Sequence, residues 1–208
     1  KFIRGLSLKK NRFKHQLFVV EGNKNITELL DSDYEIDCLF ATKEWICDNL
    51  NISATKVSNT ELERISNLKK PNEVLALVKI KNYQIPSNNG LVLVLDGIND
   101  PGNMGTIVRV CDWFGICSIV CSNSTVDSYN PKVVQSAMGS IFRVAINYTN
   151  LSDYLKRIKT PIYGAFIEGQ NVKNTSFSQD LHLVMGNESN GISKEISMLI
   201  TNKIKIEN

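Results

Sequence analysis

The chain has 208 residues, 42% hydrophobic and 22% charged, with a formal net charge of +3. That balance excludes a disordered or collagen-like chain and predicts one medium globular domain plus a small one. The longest apolar runs fall far short of the ~20 residues of a bilayer-spanning helix, and residues 1–20 alternate basic and apolar without a signal-peptide core, so a soluble cytoplasmic protein with no membrane partner is expected.

Residues 1–30 carry seven lysines and arginines against two glutamates, a local charge of +5 that accounts for the whole excess. Phe2, Phe13, His15 and Phe18 are interleaved with them. Cations neutralise phosphates and rings stack on unpaired bases, so this arm suits RNA; a solvated face with ordinary core aromatics is the competing reading.

From there to about residue 80 the pattern alternates: the strand-like QLFVVEG, a helix from Asn23 to Leu30, the strand EIDCLFAT, a helix from Thr60 to Leu68 with Thr60 as cap and Glu63 three residues on, and the strand EVLALVKI. KNYQIPSNNG, residues 81–90, is polar and aperiodic and reads as a linker. Residues 91–208 then repeat strand and helix: LVLVLD, a loop at 99–105, the helix TIVRVCDWFG, the strand SIVCS, a polar loop at 123–130 expected to be mobile, the helix PKVVQSAMGSIF, a helix from Ser152 to Ile158, the strands PIYGAFI and LHLVMG, a helix from Ser193 to Ile200, and the strand NKIKI. Near-continuous apolar strands separated by helices imply an α/β fold with a parallel sheet covered on both faces, whose ligands lie at the carboxyl ends of the strands.

Both glycine-rich loops, 99–105 and 186–191, fall at that edge. Gly102 and Gly105 would let backbone amides approach a ligand, and the following helix start would favour an anion. Neither GxGxxG nor GxxxxGK[ST] occurs, which argues against a mononucleotide site of those kinds. Arg109 stands on a mostly apolar helix and is expected to face a cleft or a partner, against the alternative of a head simply reaching water. Asn103 and Glu188 are the other polar candidates; by composition alone, Glu188 reads as a solvated turn residue. Five cysteines without CxxC, beside only two histidines, argue for reduced, mostly buried thiols and against a disulfide framework or a metal site.

Taken together, NDPGNMGTIVRVCDWFG and LVMGNESNGIS resemble the two glycine-rich motifs of the SpoU (TrmH-like) family of RNA ribose 2'-O-methyltransferases, in the SPOUT superfamily. Asn103 and Arg109 match its hallmark asparagine and arginine, and Glu188 its acidic position. KVVQSAMGSIFRVAI is similar to the segment between those motifs, with Ser136, Gly139 and Arg143 matching. NRFKHQLFVVEGNKNITELL resembles the opening of the L30e-like substrate-binding domain that many members carry.

The resemblance implies an L30e-like RNA-binding domain at 1–80, a linker at 81–90 and a SPOUT catalytic domain with a mostly parallel sheet and a C-terminal trefoil knot at 91–208. It implies S-adenosylmethionine as cofactor, held by Gly186, Asn187, Gly191 and Ile206, with Arg109, Asn103 and Glu188 in the chemistry. Lys9, Lys10, Arg12, Lys14 and Arg143 are then the RNA contacts. Partners are a second copy in a homodimer and RNA, ribosomal first and transfer RNA second, with no metal. A third family motif would follow the last strand: Ile206 matches its isoleucine, Glu207 replaces a common proline, and the sequence stops at Asn208, so a further C-terminal segment is expected. The rival classes are an RNA-binding paralogue without catalysis and a nucleotide-dependent enzyme of ordinary doubly wound fold.

Overall fold

The computed structural model describes residues 1–84 and 90–207; residues 85–89 of the expected linker, and Asn208, lie outside the described residues. Two compact units emerge. One comprises 1–81 together with 127–143, and the other 82–126 together with the chain from 144 onward.

The first unit begins with two helices, α1 (Phe2–Gly5) and α2 (Lys9–His15), where the sequence suggests only a basic arm. It continues through β1 (Leu17–Glu21), α3 (Asn23–Leu30), β2 (Ile36–Ala41), α4 (Lys43–Asp48), β3 (Thr55–Lys56), α5 (Asn59–Ile65) and β4 (Val74–Lys79). The sheet order is β1-β4-β2-β3, antiparallel except for the short β2–β3 pair. The cap of α5 is Ser58, not Thr60: its hydroxyl accepts the Glu61 N–H while its own N–H donates to the Glu61 carboxylate at 2.8 Å, closing a reciprocal box two residues earlier. Leu6, Val19, Leu62, Leu75 and Leu77 form one core cluster of this unit. Each such side chain contributes about 1.5–3 kcal/mol on burial.

Arg12 belongs to that interior. It is 1% exposed, its Nε donates to Asp127 at 3.0 Å, Nη2 donates to the same carboxylate, and Nη1 donates to the carbonyls of Leu6 and Ser7 at 2.8 Å each. Each of the three guanidinium nitrogens is bonded within the protein and the side chain is closed to solvent, which corrects the expectation that Arg12 meets RNA. Phe18 is likewise fully buried, packing on Tyr34 and Tyr129, and so cannot stack on a base.

The second unit contains β5 (Leu91–Asp96), α6 (Pro101–Trp113), β6 (Ser118–Ser122), β7 (Ala145–Thr149), α8 (Leu151–Leu155), β8 (Ile162–Asn171), β9 (Leu181–Gly186), α9 (Lys194–Ser197) and β10 (Asn202–Lys205). A further helix, α7 (Pro131–Ala137), followed by a short 3-10 turn Ser140–Phe142, belongs to the first unit. The six strands of the second unit are all parallel in the order β10-β8-β9-β5-β6-β7. Val92 and Val94 point into a cluster with Val120, Leu155, Val184 and Ile196, while Leu93 and Leu95 are buried on the opposite face. Burial on both faces is what a parallel strand requires and explains its unbroken apolar run.

Two expectations about loops are corrected. The segment 99–105 is not a loop throughout: α6 starts at Pro101, with Asp100 accepting the Asn103 N–H at 2.8 Å. An aspartate cap and a proline in the first turn outweigh the low helix propensity of Gly102. Gly102 has its own reason, since a Cβ there would lie 2.9 Å from the capping carboxylate. The polar segment after β6 is not a loose loop either. Thr125, Asp127, Ser128 and Tyr129 are all buried. Within the second unit, Thr125 Oγ1 donates to the Leu95 carbonyl and the Val126 N–H to that of Ile98.

Candidate active site

Parallel strands place the ends of β5 and β9 side by side, with Asp96 paired to Gly186. Beyond that pair two turns meet. The β5 turn passes through Gly97, whose φ of +77° disfavours a side chain. Its N–H donates to Ser122 Oγ at 3.0 Å and to Thr125 Oγ1 at 3.2 Å, so the end of β6 holds it from one side. From the other side Asn187 Nδ2 donates to the Gly97 carbonyl at 2.7 Å.

The β9 turn is folded by its own side chain. Asn187 Oδ1 accepts the N–H groups of Ser189 and Asn190 at 3.0 and 3.1 Å, and the backbones of Asn187 and Gly191 exchange bonds at 3.0 and 2.9 Å. That crossing brings the chain so close that a Cβ on Gly186 would lie 2.1 Å from the Gly191 carbonyl carbon. The turn closes where the Ser193 N–H donates to Asp96 at 2.8 Å. Gly191 itself has φ +65° and open space around a would-be Cβ, so bare backbone faces outward at the carboxyl edge.

Asn103, in the first turn of α6, donates through Nδ2 to Glu188 Oε1 at 3.0 Å. This bond is the main reason the exposed Glu188 carboxyl lies below the usual carboxylate range, with a bond to its own backbone second. Glu188 also accepts from Asn187 Nδ2 at 3.3 Å. It is thus a fixed anion at neutral pH, not the loosely solvated turn residue its composition suggests.

Arg109 is not part of this cluster. Six residues beyond Asn103, it is turned by about 240° around the helix. It is exposed and makes no ion pair among the described residues. Beside it on α6 and its end stand Val110, Trp113 and Phe114, which are 48%, 86% and 73% exposed. Ile206, just past β10, is 80% exposed at the same carboxyl edge of the sheet. Of the expected RNA contacts, Lys9, Lys10 and Lys14 are exposed, and Arg143 bonds Glu28 at 2.5 Å with about half its side chain open to solvent.

Sequence reasoning missed Asp96, Gly97, Ser122 and Thr125, the residues that set the spacing of the two turns. The readable signal was a strand ending in Asp-Gly, a sequence that asks for positive φ directly after a carboxylate. No contact motif announces Ser122 or Thr125, because their partners are backbone groups far along the chain.

Residues 90–208 match the SpoU rRNA Methylase family and residues 1–76 the MRM3-like substrate binding domain. The chain belongs to the SpoU rRNA methylase family. It is 27% identical over 194 residues to the 23S rRNA (guanosine(2553)-2'-O)-methyltransferase RlmP of Bacillus subtilis, spanning 90% of this chain and 78% of that protein. To the 23S rRNA (guanosine-2'-O-)-methyltransferase RlmB of Blochmanniella floridana it is 38% identical over 128 residues, covering 58% of this chain and 48% of the relative. A solved TrmH-family structure from Porphyromonas gingivalis superposes with a TM-score of 0.90 at 34% identity, covering all of this chain and 86% of that one.

Proposed function

We propose that this chain transfers a methyl group from S-adenosylmethionine to a ribose 2'-hydroxyl of large-subunit ribosomal RNA. The observation that carries the reading is the Asn103–Glu188 hydrogen bond, which joins the two family motifs at the carboxyl edge of a parallel sheet.

The β9 turn fits a cofactor held through backbone groups. It presents Gly191 with open space, and its shape is fixed by Asn187, Asp96 and the Gly186 crossing, with no need of a ligand to fold it. The bound cofactor would supply an electrophilic methyl on a sulfonium. The protein then has two tasks, to align the hydroxyl with that methyl and to ease loss of its proton. Arginine stays protonated in ordinary surroundings, so Arg109 serves by holding and polarising the ribose or its phosphate. Asn103 and Glu188 set the floor of the site, and Glu188 offers an acceptor for a ribose hydroxyl.

Arg109 points away from Asn103 and stands among exposed Val110, Trp113 and Phe114. An apolar face of that size suits burial against a second copy, and Arg109 would then act in the partner's site. The first unit serves as the RNA dock, with Lys9, Lys10 and Lys14 on phosphates and Arg143 beside them once released from Glu28. Among the described residues no helix is long and apolar enough to cross a membrane. The free state of all five thiols supports a cytoplasmic setting.

The test is labelled methyl transfer to separated unmodified large-subunit, small-subunit and transfer RNA. Label in large-subunit RNA supports the proposal. Label in transfer RNA alone replaces the substrate, and RNA binding without label in any RNA favours a non-catalytic paralogue.

A further inference from the structure

Residues advance about 100° each around a helix, so Lys9, Phe13, Lys10 and Lys14 share an arc of about 140° on α2. Arg12 lies outside that arc and anchors the opposite side of the helix to Asp127. The outward face is therefore fixed. All four of its side chains are exposed, Phe13 by 47%, and Lys9 Nζ sits 5.6 Å from the centre of the Phe13 ring.

A single exposed phenylalanine needs no explanation. This one lies among three ammonium groups on a stretch with no carboxylate before Glu21. Two copies of such a face would repel each other, so the surface calls for an anionic occupant that also has something flat to offer. Duplex RNA offers phosphates but keeps its bases stacked inside, which leaves the ring without a partner. A single strand offers both, because unstacked bases expose their ring faces beside the backbone charge.

We infer that the outer face of α2 binds an unpaired stretch of RNA, with one base stacked on Phe13 and the neighbouring phosphates on Lys9, Lys10 and Lys14. The inference rests on the RNA methyltransferase reading and adds what that reading lacks, the form of RNA this unit recognises. Arg12 and Phe18 take no part.

The experiment measures binding of the full chain to a fluorescein-labelled oligouridylate of about a dozen nucleotides and to a duplex RNA of similar length. The single strand should bind more tightly. Phe13→Ala should weaken it roughly tenfold, the range expected for one stacked base. Phe13→Tyr and Phe13→Trp should bind like the parent, whereas Phe13→Leu, which keeps apolar area without a ring, should not. Replacing Lys9, Lys10 and Lys14 by glutamine should flatten the dependence on salt.

Equal binding of duplex and single strand, an unaffected Phe13→Ala, or rescue by leucine would overturn the inference. So would a change of oligomeric state in Phe13→Ala by sedimentation, which would make the face an interface between copies. A parent protein that methylates RNA normally while Phe13→Ala binds unchanged removes this inference alone. A parent that binds no RNA removes the functional reading as well.

Discussion

Asn103 and Glu188 stand 85 residues apart in sequence and 3.0 Å apart in space, an amide donor on α6 bonded to a carboxylate on the β9 turn. Each fixes the other, because the turn carrying Glu188 is already tied to β5 through Asn187 and Asp96. The two should therefore act as one unit. Asn103→Ala and Glu188→Gln should each slow methyl transfer, on the order of 10²-fold, and the double variant should be little worse than either. Single-turnover rates for the three proteins check this; strictly multiplicative losses would show that the two residues work independently.

The two turn glycines should differ in their tolerance of a methyl group. At Gly186 the added carbon would meet backbone 2.1 Å away, whereas at Gly191 it would meet open space and only an unfavourable φ. Gly186→Ala should lose about 3 kcal/mol of stability or more, because backbone and not a flexible side chain must move, and should also weaken S-adenosylmethionine binding. Gly191→Ala should cost about 1–2 kcal/mol, from the left-handed backbone alone. Calorimetric titration with the cofactor, run beside thermal melting, separates the two effects.

The Arg12–Asp127 pair is buried, with every guanidinium nitrogen bonded within the protein, so removing one partner strands the other. Arg12→Met should destabilise the protein by about 3–5 kcal/mol, and Arg12→Met with Asp127→Leu should recover much of that loss. Urea unfolding of the single and double variants gives the comparison.

His182 is buried between Tyr154 Oη at 2.8 Å and Thr160 Oγ1 at 2.9 Å. Burial holds its imidazole below the ordinary value of 6.5. The unfolded chain then takes up the proton first as pH falls. The contribution of His182 to stability should be complete above pH 6.5 and lost as pH falls through its lower folded value. A melting series over that range should show the decline in the parent and a flatter profile in His182→Gln.

Much of the second unit was legible because a strand buried on both faces leaves an unbroken apolar run. Leu91–Asp96, Ser118–Ser122 and Leu181–Gly186 carry the boundaries their sequences suggest. Helix starts were harder, since Ser58 and Thr60 both precede a glutamate by three residues and only packing chooses between them. The short α4, capped by Thr42, and the two-residue β3 lack the length for a periodic signal. Asn103 and Glu188 could be picked out from motif resemblance, but their contact and the depressed Glu188 pKa depend on turns held by Asp96, Gly97 and Asn187. Arg12 illustrates the opposite error. A basic residue among lysines looks like its neighbours until the helix turns it inward toward a carboxylate 115 residues away.

The central claim is ribose methylation dependent on Arg109. It is tested most directly by incubating unmodified large-subunit ribosomal RNA with methyl-labelled S-adenosylmethionine and either the parent protein or Arg109→Ala, then digesting the RNA with alkali. The parent should leave label in alkali-resistant dinucleotides, because a 2'-O-methyl group blocks cleavage of the adjacent phosphate. Arg109→Ala should leave almost none while binding the cofactor normally. Label recovered only in mononucleotides, or an Arg109→Ala protein as active as the parent, would contradict it.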